Sequence, residues 1–144
     1  MPENGGIMSR ASGILFLGLF AFALAQGADE RKKVEMPAQV QEMLLANMRD
    51  HLATLEKIIA FLAQEQYSQA AAIAKEHLGM EAMHGMCAPV MAHQPPEMRH
   101  MSHAMHDAAD AFAQTAQNKP KEALGALSSL SQTCVSCHNA YRLR

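Results

Sequence analysis

Apolar residues recur at helical spacing over most of the chain, and no stretch alternates with the period of two that a half-buried strand requires. The longest such run covers 38–64. Within it Leu45, Met48, Leu52, Leu55, Ile59 and Leu62 follow one another at steps of three and four, which places them on one stripe of an α-helix. Pro37 stands just ahead, where a first turn tolerates a residue without an N–H. The pattern restarts at Tyr67-Ser68, with Ser68 as the expected N-cap. It runs through Ala72, Ile73 and Leu78 to Gly79, a residue favoured at a helix end. Residues 80–94 are the least regular stretch and hold Gly85, Cys87 and Pro89. Pro95-Pro96 opens a third helix, with Glu97 in the turn where a carboxylate suits the helix dipole. Its seam is Met98, Met101, Met105, Ala108, Phe112 and Thr115, and it ends near Asn118. Pro120 opens a fourth helix that passes Leu124, Leu127, Ser131, Cys134 and His138. Four amphipathic helices with short connections predict an all-α protein, an antiparallel up-down-up-down four-helix bundle.

The N-terminal residues read differently. Residues 1–10 are polar with Arg10 as the one positive charge, 13–24 are mostly apolar, and Ala23-Leu24-Ala25 precedes Gln26. A basic start, a short apolar run and an Ala-x-Ala site predict a cleaved signal peptide over 1–25. Met8 offers an alternative start just before Ser9-Arg10. The apolar run is shorter than the roughly 20 residues a spanning helix needs. Residues 26–36, polar and charged, are expected to be a flexible lead-in, and 37–144 a single domain. Twelve Lys+Arg against fourteen Asp+Glu give a net charge of −2, so no strong field favours nucleic acid or an anionic membrane. There is no Trp, and aromatics make up 5% of the chain. Side chains alone therefore build a thin core, and a bound apolar group would supply the missing mass.

The candidate chemistry lies at the C-terminus, in Cys134-Val135-Ser136-Cys137-His138. Cys-x-x-Cys-His is the attachment signature of a c-type haem. Two thiols add across the vinyl groups of one porphyrin edge, and the adjacent imidazole reaches the iron. On a helix Cys134 and Cys137 share a face, and His138 sits one turn beyond Cys134 on that side. The other readings are a disulfide, a redox dithiol or half of a zinc site. Zinc would want a second ligand pair, and the chain has no other Cys-x-x-Cys. A thioredoxin-like motif belongs after a strand in a βαβ unit, which this pattern lacks. One covalent haem c on Cys134 and Cys137, with His138 on the iron, is the expectation. Export agrees with it, because such attachment in bacteria takes place outside the cytoplasm.

A helical bundle with this motif near its end resembles the class II c-type cytochromes, the cytochrome c-prime group and its low-spin relatives. Cys134, Cys137, His138 and the trailing Tyr141-Arg142 carry the resemblance, with a weaker echo in Tyr67-Ser68-Gln69-Ala70-Ala71. It implies a periplasmic protein with His138 as proximal ligand and Arg142 as the basic residue beside it. Arg142 would otherwise offset the C-terminal helix dipole. The family divides into five-coordinate gas binders and six-coordinate electron carriers with a methionine from the first helix. Met48 lies on the apolar seam and Met43 at its outer edge, so Met48 is the expected distal ligand; Leu44 or Leu45 facing the iron is the alternative. A thioether opposite histidine raises the potential relative to two nitrogens and blocks the position a substrate would need. The expectation is electron transfer with periplasmic redox partner proteins and no enzymatic activity. Related bundles also form homodimers through their first two helices.

One segment departs from that picture. His77, His84, His93, His100, His103 and His106 fall close together, among seven methionines and Cys87. Thioethers, imidazoles and a thiol together suit copper. On the third helix His100, His103 and Asp107 lie at spacings that share a face. Met98, Met101 and Met105, however, keep the spacing of Ala108 and Phe112, so they are expected to be core residues.

Overall fold

The computed structural model describes residues 29–84 and 88–144. The expected signal peptide and Cys87 lie outside these residues. The described chain is all-α apart from one pair of short strands. In order it runs β1 (Lys32–Lys33), α1 (Ala38–Ala63), α2 (Tyr67–Leu78), the short α3 (Met80–Ala82) and α4 (Ala88–Met91), and α5 (Pro96–Asn118). A 3-10 turn over Pro120–Glu122, α6 (Ala123–Ala140) and β2 (Tyr141–Arg142) complete it. Helix α1 packs on α2, α2 on α5, and α5 on α6. No helix among the described residues is long and apolar enough to cross a membrane.

The connections explain themselves from local chemistry. Helix α1 ends in a Schellman pair, Gln66 N–H to Phe61 C=O at 2.9 Å and Glu65 N–H to Leu62 C=O at 3.0 Å. That geometry puts Glu65 at φ 57°, a left-handed conformation that glycine adopts more cheaply. Helix α2 consequently starts at Tyr67 with Gln66 as its N-cap and without a side-chain cap. The expected cap at Ser68 is therefore corrected, because the preceding turn already fixes the entry. Gly79 follows α2 as expected, but with extended backbone. Space is the reason for glycine there: a Cβ would collide with the Asp110 carboxylate and lie 2.6 Å from the Lys75 carbonyl. Asp110 uses that proximity to accept from Met80 N–H at 3.1 Å.

Two apolar clusters hold the helices. The larger joins Ile58 and Leu62 of α1, the alanines Ala70, Ala71 and Ala74 of α2, Phe112 of α5, and Leu127 and Leu130 of α6. Small residues on α2 let its neighbours approach closely, and each fully buried large side chain stabilises by about 1.5–3 kcal/mol. The smaller cluster gathers Val34, Leu44, Val90, Met98 and Tyr141, with Met43, Met48 and Cys137 against it.

The lead-in is another correction. From residue 29 onward it is tied down: β1 pairs in parallel with β2 in the register Lys32 to Tyr141 and Lys33 to Arg142. Val34 donates to the Arg142 carbonyl at 2.9 Å and is buried. A hydrophobic anchor plus a strand partner outweighs the polar composition that suggested fraying.

The apolar stripes of α1 and α6 also fall elsewhere than expected. The buried residues of α1 are Leu44, Asn47, His51, Thr54, Ile58 and Leu62, offset by one position from the expected seam everywhere except Leu62. Leu52 and Ile59 of that seam are 69% and 57% exposed, and Leu124 of α6 is 71% exposed. In α5 the expectation holds better, with Met98, Met105 and Phe112 buried and Met101 half-buried.

Candidate functional site

The exposed stripe of α1 faces α6. Arg49, Leu52, Glu56 and Ile59 of α1, with Leu127 and Ser131 of α6, line a groove of about 680 Å³ whose walls are overwhelmingly apolar. His138 follows Leu127 and Ser131 at helical repeats of eleven and seven, so it lies on the same stripe of α6. Its ring is exposed. Cys134, one turn past Leu130, packs against the larger cluster, which includes Leu55 and Leu127, while Cys137 packs against the smaller one. The motif thus sits where the two clusters meet, beside the groove.

Both thiols are free and half-buried. Burial pushes the Cys134 thiol up, partly opposed by Thr133. Burial pushes Cys137 up as well, with the Cys134 charge in second place. A redox dithiol needs at least one thiol lowered, so the direction argues against that reading. No group of three or more His, Cys, Asp or Glu able to hold a metal occurs among the described residues, which leaves a zinc half-site without its complement. His100 and His103 are exposed and gain no further ligand of that kind. The residues present do suit haem: an open apolar groove, two unpaired thiols on one helix face and an exposed imidazole on the groove stripe.

Beyond His138 the motif is clasped by the lead-in, which sequence reasoning did not anticipate. Arg31 donates through Nε and Nη2 to the two carboxylate oxygens of Asp29 at 2.9 and 2.7 Å. Those hydrogen bonds hold the Asp29 carboxyl down to about 2. The remaining Nη1 of Arg31 donates to the His138 carbonyl at 3.3 Å, one of the final carbonyls of α6 that lack an intrahelical donor. Arg142 lies past the helix in β2, with Nε 3.6 Å from Asp29, an ion pair too long for a hydrogen bond. The structure therefore engages Arg142 in the clasp rather than in the last turn of α6.

Met48 is half-buried and lines a second, smaller cavity instead of the groove. Met43 is half-buried too and packs in the same cluster as Cys137. The second cavity, about 40 Å³, lies between α1, α4 and α5, and His51, His106, Met91 and Met105 share its wall. His51 and His106 are almost fully buried and meet edge to face, with ring centroids 6.1 Å apart. Burial, then the charge of His106, pushes His51 down to about 4. Burial pushes His106 down against the pull of the Leu78 carbonyl. Comparison of the chain with family models, with curated proteins and with solved structures gives no match.

Proposed function

We propose that this chain is a periplasmic mono-haem c-type cytochrome that carries electrons between partner proteins, built as an antiparallel four-helix bundle. The observation that carries the reading is the exposed apolar stripe of α1, Leu52 and Ile59, lining a groove against α6, the helix that carries Cys134, Cys137 and His138. Leucine and isoleucine left exposed along one wall of an apolar groove imply an apolar occupant. In this reading Cys134 and Cys137 hold the macrocycle through thioether bonds, and His138 is the proximal ligand. Leu52, Ile59 and Leu127 exclude water from its faces. The Arg31 hydrogen bond to the His138 carbonyl steadies the end of α6 that bears the ligand. Bound there, haem c supplies a one-electron iron couple. Met48, which lines the inner cavity, would hold the iron from α1 only after turning toward the groove, and its thioether would then favour the reduced state relative to a second nitrogen.

A second reading has an observation of its own. Met48 lines the inner cavity while Arg49 and Leu52 line the groove, an arrangement that suits an open distal side and small-gas binding. Absorption spectra of oxidised and reduced protein separate the two. Low-spin bands that become high-spin in Met48→Ala, and bind carbon monoxide only then, support electron transfer with His/Met iron. Met43→Ala should leave them unchanged. A high-spin wild type transfers the proposal to gas binding, and a wild type without haem bands removes both.

A further inference from the structure

We propose that the inner cavity between α1 and α5 is a binding site for one Cu(I) ion, held by His51, His106 and Met105. It is separate from the groove and from the exposed histidines of α5. Three observations lead there. The Nε2 atom of His51 is buried without a hydrogen-bond partner, on a residue only 8% exposed. Leaving such a nitrogen unsatisfied costs about 1–3 kcal/mol, and a ligand in the cavity removes that cost.

The second observation is the tautomer of His106. Its Nδ1 lies 2.7 Å from the Leu78 carbonyl, which only accepts, so Nδ1 carries the proton and Nε2 keeps its lone pair. A ring nitrogen donating to a backbone carbonyl is the usual outer support of a metal-bound histidine. The third is distance. With nitrogen–metal bonds of about 2.0 Å a ring centre stands roughly 3.1 Å from the ion, so two rings sharing it lie at most about 6.3 Å apart. The observed 6.1 Å lies within that limit, and one ring turns about its Cβ–Cγ bond from the present edge-to-face pose to aim its nitrogen at the ion.

The remaining walls choose the metal. The other soft donors around the cavity are the thioethers of Met48, Met91 and Met105; the oxygen donors are neutral (Asn47, Gln94 and Ser102, the last two bonded to each other at 3.0 Å), and no carboxylate is among them. Neutral imidazole with thioether selects Cu(I) over hard divalent ions. A single positive charge also costs less to bury than a double one. A volume of about 40 Å³ has room for an ion or a few waters.

The test is equilibrium dialysis of the full chain, haem attached, against Cu(I) buffered by bathocuproine disulfonate, with copper counted by mass spectrometry. The readout counts copper and not haem, so its failure and that of the haem reading are distinguishable. One Cu(I) per chain is expected to survive the competition. His51→Phe should lower the affinity by on the order of a hundredfold, and Met105→Leu by roughly tenfold, losses at least as large as removal of an outer-shell partner causes. His100→Ala with His103→Ala, and Cys87→Ser, should leave it unchanged. X-ray absorption of the bound copper should show two nitrogens and one sulfur, which decides the matter should His51→Phe fail to fold. No retained copper, a cavity holding water only, retention indifferent to His51→Phe, or loss on Cys87→Ser each overturns the proposal.

Discussion

Ile58 and Ile59 are neighbours on α1 with opposite fates: the first is fully buried, the second 57% exposed. The buried side of the helix carries Asn47, His51 and Thr54 among its aliphatic residues, whereas the open side presents Leu52 and Ile59 to a groove. A helix normally turns its apolar stripe inward and its polar one outward. Here the inner stripe holds polar groups that need partners, and Thr54 finds one in the Asp50 carbonyl at 2.8 Å. The outer stripe holds apolar groups that need cover. The two faces therefore meet different environments, one closed by the protein itself and one open to the groove.

The largest expected effect tests the inner side. Ile58→Ala should cost about 2–5 kcal/mol, the range for emptying a packed site, while Ile59→Ala in haem-free chain should change stability by less than about 0.5 kcal/mol. Urea denaturation of both variants measures the contrast. With haem attached, Ile59→Asp should weaken stability where Ile59→Ala barely does, because a carboxylate would then face the macrocycle. Equal costs for the two alanine variants would erase the distinction between the faces.

The next effect is pH dependence, and it belongs to the inner side alone. In metal-free chain the fold holds His51 at about 4 against an ordinary value of 6.5, so the unfolded chain takes up a proton that the native state refuses. Stability from this source is complete above pH 6.5 and falls as pH drops toward 4, by about 1.4 kcal/mol per unit for each such histidine. His106 shifts in the same direction. Asp50 beside His51, and Asp110 beside His106, oppose the shifts, while His103 reinforces that of His106. Denaturation at pH 7 and pH 5 measures the slope, and His51→Phe should flatten it. A wild type equally stable at both values would contradict the burial argument.

Helix boundaries were legible because periodicity and proline state them directly: α1 ends at Ala63 against an expected Gln64, and α5 spans Pro96–Asn118 as read. The inward face of α1 was not. The most apolar stripe, Leu45 to Ile59, outranked the buried one because Asn47, His51 and Thr54 dilute the latter, and a sequence does not say which of two adjacent stripes turns inward. Cys134, Cys137 and His138 stand out in the sequence by their spacing, and the structure sets all three on α6. The His51–His106 pair does not stand out, since the two lie on helices far apart in sequence and only burial unites them. The clasp on α6 escaped for the same reason: Arg31 reads as part of a charged run until β1 pairs with β2.

A smaller effect concerns the turn that sets the angle between α1 and α2. Glu65→Gly should stabilise the chain by up to about 1 kcal/mol, since glycine accepts φ 57° without a side-chain penalty. Thermal melting would register it as a rise of a few degrees, and a fall would mean that Glu65 makes a contact outweighing its strain.

The central claim, that the groove between α1 and α6 is built for a haem bound to Cys134 and Cys137, meets its most direct test in the mass of the denatured chain. Protein exported in cells with a haem-maturation system should carry the mass of one haem after denaturation, and Cys134→Ala with Cys137→Ala should lose it. A wild-type chain of unmodified mass under those conditions would contradict the account.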